Sequence, residues 1–168
     1  MAERNPNLIS PKAMEAMAST ANSGRELYSE IFTKINNAKD KPKKIEVLRR
    51  YNTPNMRMVL KGAFDPKIEW DLPPGIPPYI ANEAPAGTEH TYLELEAKRL
   101  YNFVKGGNNQ LNKIRKETLF IQMLEGLHAD EAKVLIDMKN KTLNKTYKGL
   151  TSEMVKEAFG WNADFVKP

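Results

Sequence analysis

The run Leu72–Tyr79, LPPGIPPY, constrains this chain more than any other stretch. Proline has no amide donor, and it pushes the residue before it toward extended geometry. Four prolines in eight residues exclude a helix there, in a chain whose apolar residues otherwise recur at helical spacing. The fold must carry one extended interruption between two sets of helices. Trp70, Ile76 and Tyr79 favour burial, so the run reads as an ordered crossing anchored by these three groups. A flexible linker between two halves is the other reading.

Ahead of the crossing, Ser10 and Pro11 open a short helix in a loose arm, residues 1–22. Ser23-Gly24-Arg25-Glu26 has capping-box spacing, with Leu27, Ile31, Phe32 and Ile35 forming an apolar stripe behind it. Asp40 caps a second helix, with Pro42 in its first turn and Ile45 and Leu48 facing inward. Thr53-Pro54 opens a third, whose inward set is Met56, Val59, Leu60, Ala63 and Phe64. The short connections predict close packing between these helices.

Beyond the crossing, Thr88 or Thr91 starts a long helix through Lys105, with Leu93, Ala97, Leu100 and Val104 inward. Gly106-Gly107 ends it. The next helix, about Asn109 to Glu125, is apolar all round in its second half and reads as the central buried element. Another begins at His128–Asp130 with Ala132, Leu135 and Ile136 inward, and Lys139–Lys148 reads as a polar basic loop. Thr151 caps a last helix that closes at Gly160, with Trp161 and Phe165 folding back on the core. No alternating strand pattern occurs. The expectation is an all-α fold: a compact bundle of six to seven helices with a proline-rich extended crossing at about 65–87. At 168 residues, 23–168 suffice for a single helical domain with a real core.

Several function classes drop out. The chain has no cysteine, which removes disulfides and thiolate chemistry and fits a reducing interior. No apolar run approaches the roughly 18 residues of a membrane span, and the start lacks the apolar core of a secretory signal. The two histidines, His90 and His128, lie near helix starts and outside any metal-ligand spacing, which suits capping. Gly106-Gly107-Asn108-Asn109 reads either as a phosphate-holding turn or as a plain turn; it lacks the Gly-Lys-Ser/Thr of a P-loop. No catalytic residue, metal ligand or cofactor site is expected, and the chain reads as non-enzymatic.

Charge is more informative. The net charge is +5, yet Lys34 to Lys67 holds ten Lys/Arg against three acids. Ile68 to Glu96 holds six acids and no base, and Lys98 to Lys148 holds eleven bases against five acids. Clustered cations attract a polyanion at longer range than the mean charge does. On helical geometry Lys43 and Arg50 oppose Ile45 and Leu48, and Arg57 and Lys61 oppose Met56, Val59 and Ala63. These four cations are expected to share one surface on neighbouring helices and to meet successive phosphates. Lys44 adjoins them, and Lys113, Arg115 and Lys116 extend the surface. The alternative is a protein-interaction factor whose contact is the crossing, through Ile76, Pro77, Pro78 and Tyr79.

Two resemblances bear on these readings. The stretch IFTKINNAKDKPKKIEVLRRYNTPNMRMVLKGAFDPKIEWDLPP, followed by GLHADEAKVLIDMKNKTL and VKEAFG, resembles the N-terminal helical DNA-binding domain of ATP-dependent DNA ligases. That resemblance implies a stand-alone binder of duplex DNA, touching the minor groove and phosphates through Lys43, Lys44, Arg50, Arg57 and Lys61. Nucleotidyl transfer is not implied, because its Lys-x-Asp-Gly setting needs an Asp-Gly pair and the chain has none. Through EWDLPPGIPPY, GTEHT, FVKGGN and YKGLT, the chain is also similar to a family of small proteins of T-even-like, notably marine, tailed phages. That similarity supplies no established activity and implies the host cell cytoplasm as the setting. The expected partner is duplex DNA bound without sequence preference, or else a host or phage protein, and no membrane.

Overall fold

Helix starts in this chain are set by side chains that accept the first free amides, and one of those side chains serves two helices at once. The computed structural model describes residues 26–82 and 91–168. The expected arm helix at Ser10–Pro11 and most of the capping box at Ser23–Glu26 lie outside those residues. Helix α1 (Tyr28–Asn37) has no side-chain cap of its own. Its Tyr28 amide donates instead to Glu131 Oε2 at 2.7 Å. Glu131 Oε1 accepts the Leu93 amide at 2.8 Å, at the start of a second helix. Glu131 is fully buried, and a carboxylate at a helix N-terminus gains from both the free amides and the helix dipole.

Asp40 Oδ1 accepts the Lys43 amide at 3.0 Å and starts α2 (Lys41–Arg50), with Pro42 in its first turn. Thr53 Oγ1 does the same for Met56 at 3.1 Å and starts α3 (Pro54–Phe64). Each helix buries the apolar set its spacing predicts: Ile31, Phe32 and Ile35 on α1, Ile45 and Leu48 on α2, and Met56, Val59, Leu60 and Ala63 on α3. Consecutive order does not decide the packing, however. α2 packs on α1 and on the last helix, whereas α3 packs on later helices of the chain, so α2 and α3 are not a packed pair.

The long helix expected over 91–105 is shorter and wound differently. α4 (Leu93–Glu96) is one turn, and it passes into a 3-10 segment, Ala97–Phe103. Ala97, Leu100 and Phe103 are buried, every third residue, which is the period that lines up one face of a 3-10 helix. Val104, expected inward as the next helical position, is extended and forms a single antiparallel bridge with Trp70. Gly106 takes a left-handed φ of +80° in the turn that follows. The Gly107 amide is spent on Val104 O at 2.9 Å, and the next helix starts six residues later, so this glycine pair is a plain turn.

Asn112 Oδ1 accepts the Arg115 amide at 2.7 Å and starts α5 (Lys113–Gly126). His128 caps α6 (Ala129–Asn140), its Nδ1 accepting the Asp130 amide at 3.1 Å. The central element is α6 and not α5. α6 packs on α1, α3, α5 and α7 (Leu143–Thr146), and it buries Ala132, Val134, Leu135, Ile136 and Met138. Glu131 and Lys139, two buried charges in its sequence, disguise how thoroughly it is enclosed. The stretch expected as a polar loop contains α7, whose Leu143 is in the core. Thr151 Oγ1 accepts Met154 N–H at 3.2 Å and starts α8 (Ser152–Phe159), which packs on α2. Phe159, Trp161 and Phe165 then stack in sequence, with centroids 4.9 and 6.1 Å apart, so the C-terminal segment does fold back. The described residues form an all-α bundle with no strand beyond the isolated bridge.

The crossing is described through Asn82, and the expected 83–87 part of it lies outside the described residues. Trp70 is buried and its indole N–H donates to Gly62 O at 2.9 Å. A Cβ on Gly62 would lie 2.4 Å from Trp70 Cζ2, so the indole needs glycine beneath it. Asp71 N–H to Phe103 O at 2.7 Å and Lys105 N–H to Glu69 O at 2.9 Å fix the entry to the crossing. Beyond it, the Ile80 amide donates to Glu125 Oε2 at 2.7 Å. Tyr79 packs on the core as expected, but Ile76 is no anchor: it is 77% exposed.

Candidate nucleic-acid interface

The eight cations expected to meet phosphate separate into those the fold consumes and those it leaves outward. Lys44 is consumed. Its ammonium donates to Ile35 O, Asn36 O and Ala38 O at 3.0, 2.8 and 3.0 Å, covering the free carbonyls at the end of α1. Lys116 is consumed as well: it is buried and meets Asp71 Oδ2 at 2.9 Å. That hydrogen bond, with the fields of Lys116, Lys113 and Lys105, holds the Asp71 carboxyl below the usual range. A buried charge is tolerated when paired in this way. Neither side chain extends an outward basic face.

The other six cations are partly engaged or free. Arg50 pairs with Glu46 at 2.8 Å, one turn back on α2. Arg57 donates to Asn52 Oδ1 at 2.5 Å. Lys61 sits 5.1 Å over the Trp161 ring, a cation–π contact to the C-terminal segment. Lys43 is exposed and its ammonium has no partner among the described residues. On α5, Lys113 and Arg115 are exposed and form no hydrogen bond or ion pair there, although the field of Lys113 reaches Asp71. Because α2 and α3 are not packed together, the expected single surface of Lys43, Arg50, Arg57 and Lys61 does not follow from their order along the chain.

Other α2 cations bind α8. Arg49 donates to Ala158 O at 3.1 Å, and Lys41 pairs with Glu157 at 3.0 Å.

The four residues of the alternative reading alternate in exposure, as an extended segment does. Ile76 and Pro78 face solvent, Pro77 and Tyr79 are half-buried, and Ile80 continues the outward set at 81% exposed. Burial pushes the Tyr79 hydroxyl pKa up. Two lysines that sequence reasoning left in a basic loop hold this crossing. Lys139 donates to Pro73 O at 2.9 Å, Gly75 O at 2.8 Å and Asn140 Oδ1 at 2.7 Å. Lys141 donates to Gly62 O at 2.6 Å and Asp65 O at 3.0 Å. Desolvation lowers both ammonium pKa values. No sequence signal marks these two, because the carbonyls they hold lie more than sixty residues away. Between α3, the crossing, the end of α6 and the start of α8 runs a groove of about 780 Å³.

Among the described residues, no three His, Cys, Asp or Glu side chains converge to hold a metal ion. No helix among them is long and apolar enough to cross a membrane. Residues 31–145 match the model of a family of unknown function, DUF6433. The chain belongs to that family. No curated protein and no solved structure matches it. The DUF6433 match runs from α1 into α7, so it contains all eight expected cations, the crossing and both of its tethering lysines.

Proposed function

We propose that this protein is a non-enzymatic DNA-binding protein that contacts the phosphate backbone of duplex DNA through cations the fold does not use. The observation that carries the reading is the exposure of Lys43, Lys113 and Arg115, whose charged groups form no hydrogen bond or ion pair among the described residues, beside Lys44 and Lys116, which the fold does use. Cations kept outward and unpaired retain their full attraction for phosphate, and their binding is salt-dependent and blind to sequence. The likeness to the ligase DNA-binding domain agrees with this partner, and the likeness to phage proteins makes the host cytoplasm its setting.

The test is fluorescence anisotropy of a labelled random-sequence duplex, titrated with the protein between 50 and 200 mM salt. Affinity that falls steeply with salt and is equal for unrelated duplex sequences supports the reading. No saturable binding at the lowest salt removes it.

A second reading has its own observation: Ile76 and Ile80 stand 77% and 81% exposed on a crossing that is otherwise pinned. Extended proline-containing segments of this kind are recognised by partner proteins at low entropic cost. Capture of a host or phage protein after nuclease treatment, lost in Ile76→Ser/Ile80→Ser, would favour it over DNA binding.

A further inference from the structure

We infer that the DNA-contacting surface is bipartite: Lys39 from the α1–α2 turn and Lys43 from the first turn of α2 act together with Lys145 from α7 and Lys148 from the α7–α8 connection. This inference rests on the DNA reading and changes where the contact lies. The two segments are about a hundred residues apart in sequence, and specific contacts bring them together. The Gly149 amide donates to Asn36 Oδ1 at 2.7 Å, at the end of α1. A Cβ on Gly149 would lie 2.8 Å from Lys44 Nζ and 3.3 Å from Asn36 Cα, so the two backbones meet here. The Phe32 and Tyr147 rings pack edge-on at 5.5 Å just beneath. Asn144 Nδ2 donates to Lys148 O at 3.3 Å and Leu150 O at 2.8 Å, which folds 144–150 into a tight turn against that junction.

Around this seam Lys39, Lys43, Lys145 and Lys148 are all exposed, and none of their ammoniums has a partner among the described residues. The acids nearby are committed elsewhere. Asp40 Oδ1 caps α2, Glu157 pairs with Lys41, and Asp137 accepts from Thr142 and Thr146. Lys44, also at the seam, is turned inward to the α1 carbonyls. The fold thus leaves four exposed lysines around the seam, none of them ion-paired with the acids there, and like charges so placed are relieved by a polyanion. A row of phosphates spanning the seam satisfies both halves at once, and neither segment alone supplies the same density.

Four phosphate contacts give a log–log salt slope of about −3.6, at roughly 0.9 per contact, so affinity should fall on the order of 100-fold between 50 and 200 mM salt. The experiment compares the full chain with Lys39→Gln/Lys43→Gln/Lys145→Gln/Lys148→Gln, with each half of that set, and with Arg50→Gln/Arg57→Gln/Lys61→Gln. The probe is a labelled random-sequence duplex, and thermal melting confirms that each variant is folded. The expected result is a nearly flat salt dependence for the quadruple variant, about half the slope for each pair, and a slope close to that of the parent for the arginine-containing set. A folded quadruple variant that keeps the parent slope overturns the bipartite surface and leaves the DNA reading standing. So does loss confined to one pair. Absence of binding by the parent chain removes both together.

Discussion

Two parts of this molecule carry lysines and use them in opposite ways. At the end of α6, the buried Lys139 and the more exposed Lys141 spend their ammoniums on the carbonyls of Pro73, Gly75, Gly62 and Asp65. At the seam between the start of α2 and residues 145–148, four lysines are exposed and their ammoniums form no hydrogen bond or ion pair among the described residues. The difference lies in the backbone nearby and not in the residue type. Prolines remove the amides that would pair with neighbouring carbonyls, and a helix leaves its last carbonyls unpaired. Both conditions meet where the crossing passes α3 and α6, so long donors are drawn in. Lys44 answers the same need at the end of α1. The remaining lysines of the seam stay in water.

The comparison breaks most readily at the buried pair beside the crossing. Asp71→Asn leaves the Lys116 ammonium buried without its counter-charge, which should cost about 3 kcal/mol or more of stability, read from urea unfolding. The pH dependence has a definite sign. The folded state lowers the Asp71 pKa, so its ionised form adds stability above the usual carboxylate range. That contribution disappears as pH falls through the depressed folded value. The parent should therefore lose more stability on acidification than Asp71→Asn does. Equal acid sensitivity of the two proteins would refute the role given to this pair.

Lys139→Met should have the next largest effect. The methionine keeps the apolar stem, but the carbonyls of Pro73 and Gly75 lose a charged donor, a loss of about 2 kcal/mol. Limited proteolysis should then cut within residues 72–82 earlier than in the parent, since the crossing loses a tether. Unchanged proteolysis would show that Trp70 and the Ile80–Glu125 contact hold the crossing unaided.

The helices were legible because their signals are local. Asp40, Thr53 and Thr151 cap the helices their spacing predicts, and the inward stripes of α1, α2 and α3 are those the periodicity picks out. What was hidden depends on partners distant in sequence. The 3-10 winding of 97–103 follows from Phe103 entering the core while Val104 pairs with Trp70. Glu131 resembles any acid in a first helical turn until Tyr28 and Leu93 are seen to donate to it. Of the expected cations, Lys44 and Lys116 lie one helical turn before the buried Leu48 and Phe120, and one meets α1 carbonyls and the other Asp71. Lysine is an especially poor guide, because its long apolar stem lets the same position serve core or solvent.

The smallest expected effect is also the sharpest check on the outward lysines. If Lys39, Lys43, Lys145 and Lys148 take no part in holding the fold, replacing all four by glutamine should leave stability within about 0.5 kcal/mol of the parent. The sign can be refined further. Four like charges around one seam repel, so the variant should be slightly more stable than the parent at low ionic strength. Added salt screens that repulsion, and the small advantage should shrink as the Debye length falls from about 30 Å at 0.01 M to about 8 Å at physiological strength. Thermal melting of both proteins across that range reads the difference directly. A clear loss of stability in the variant would mean that these lysines hold the seam together as Lys44 does, and that its surface is not free for phosphate.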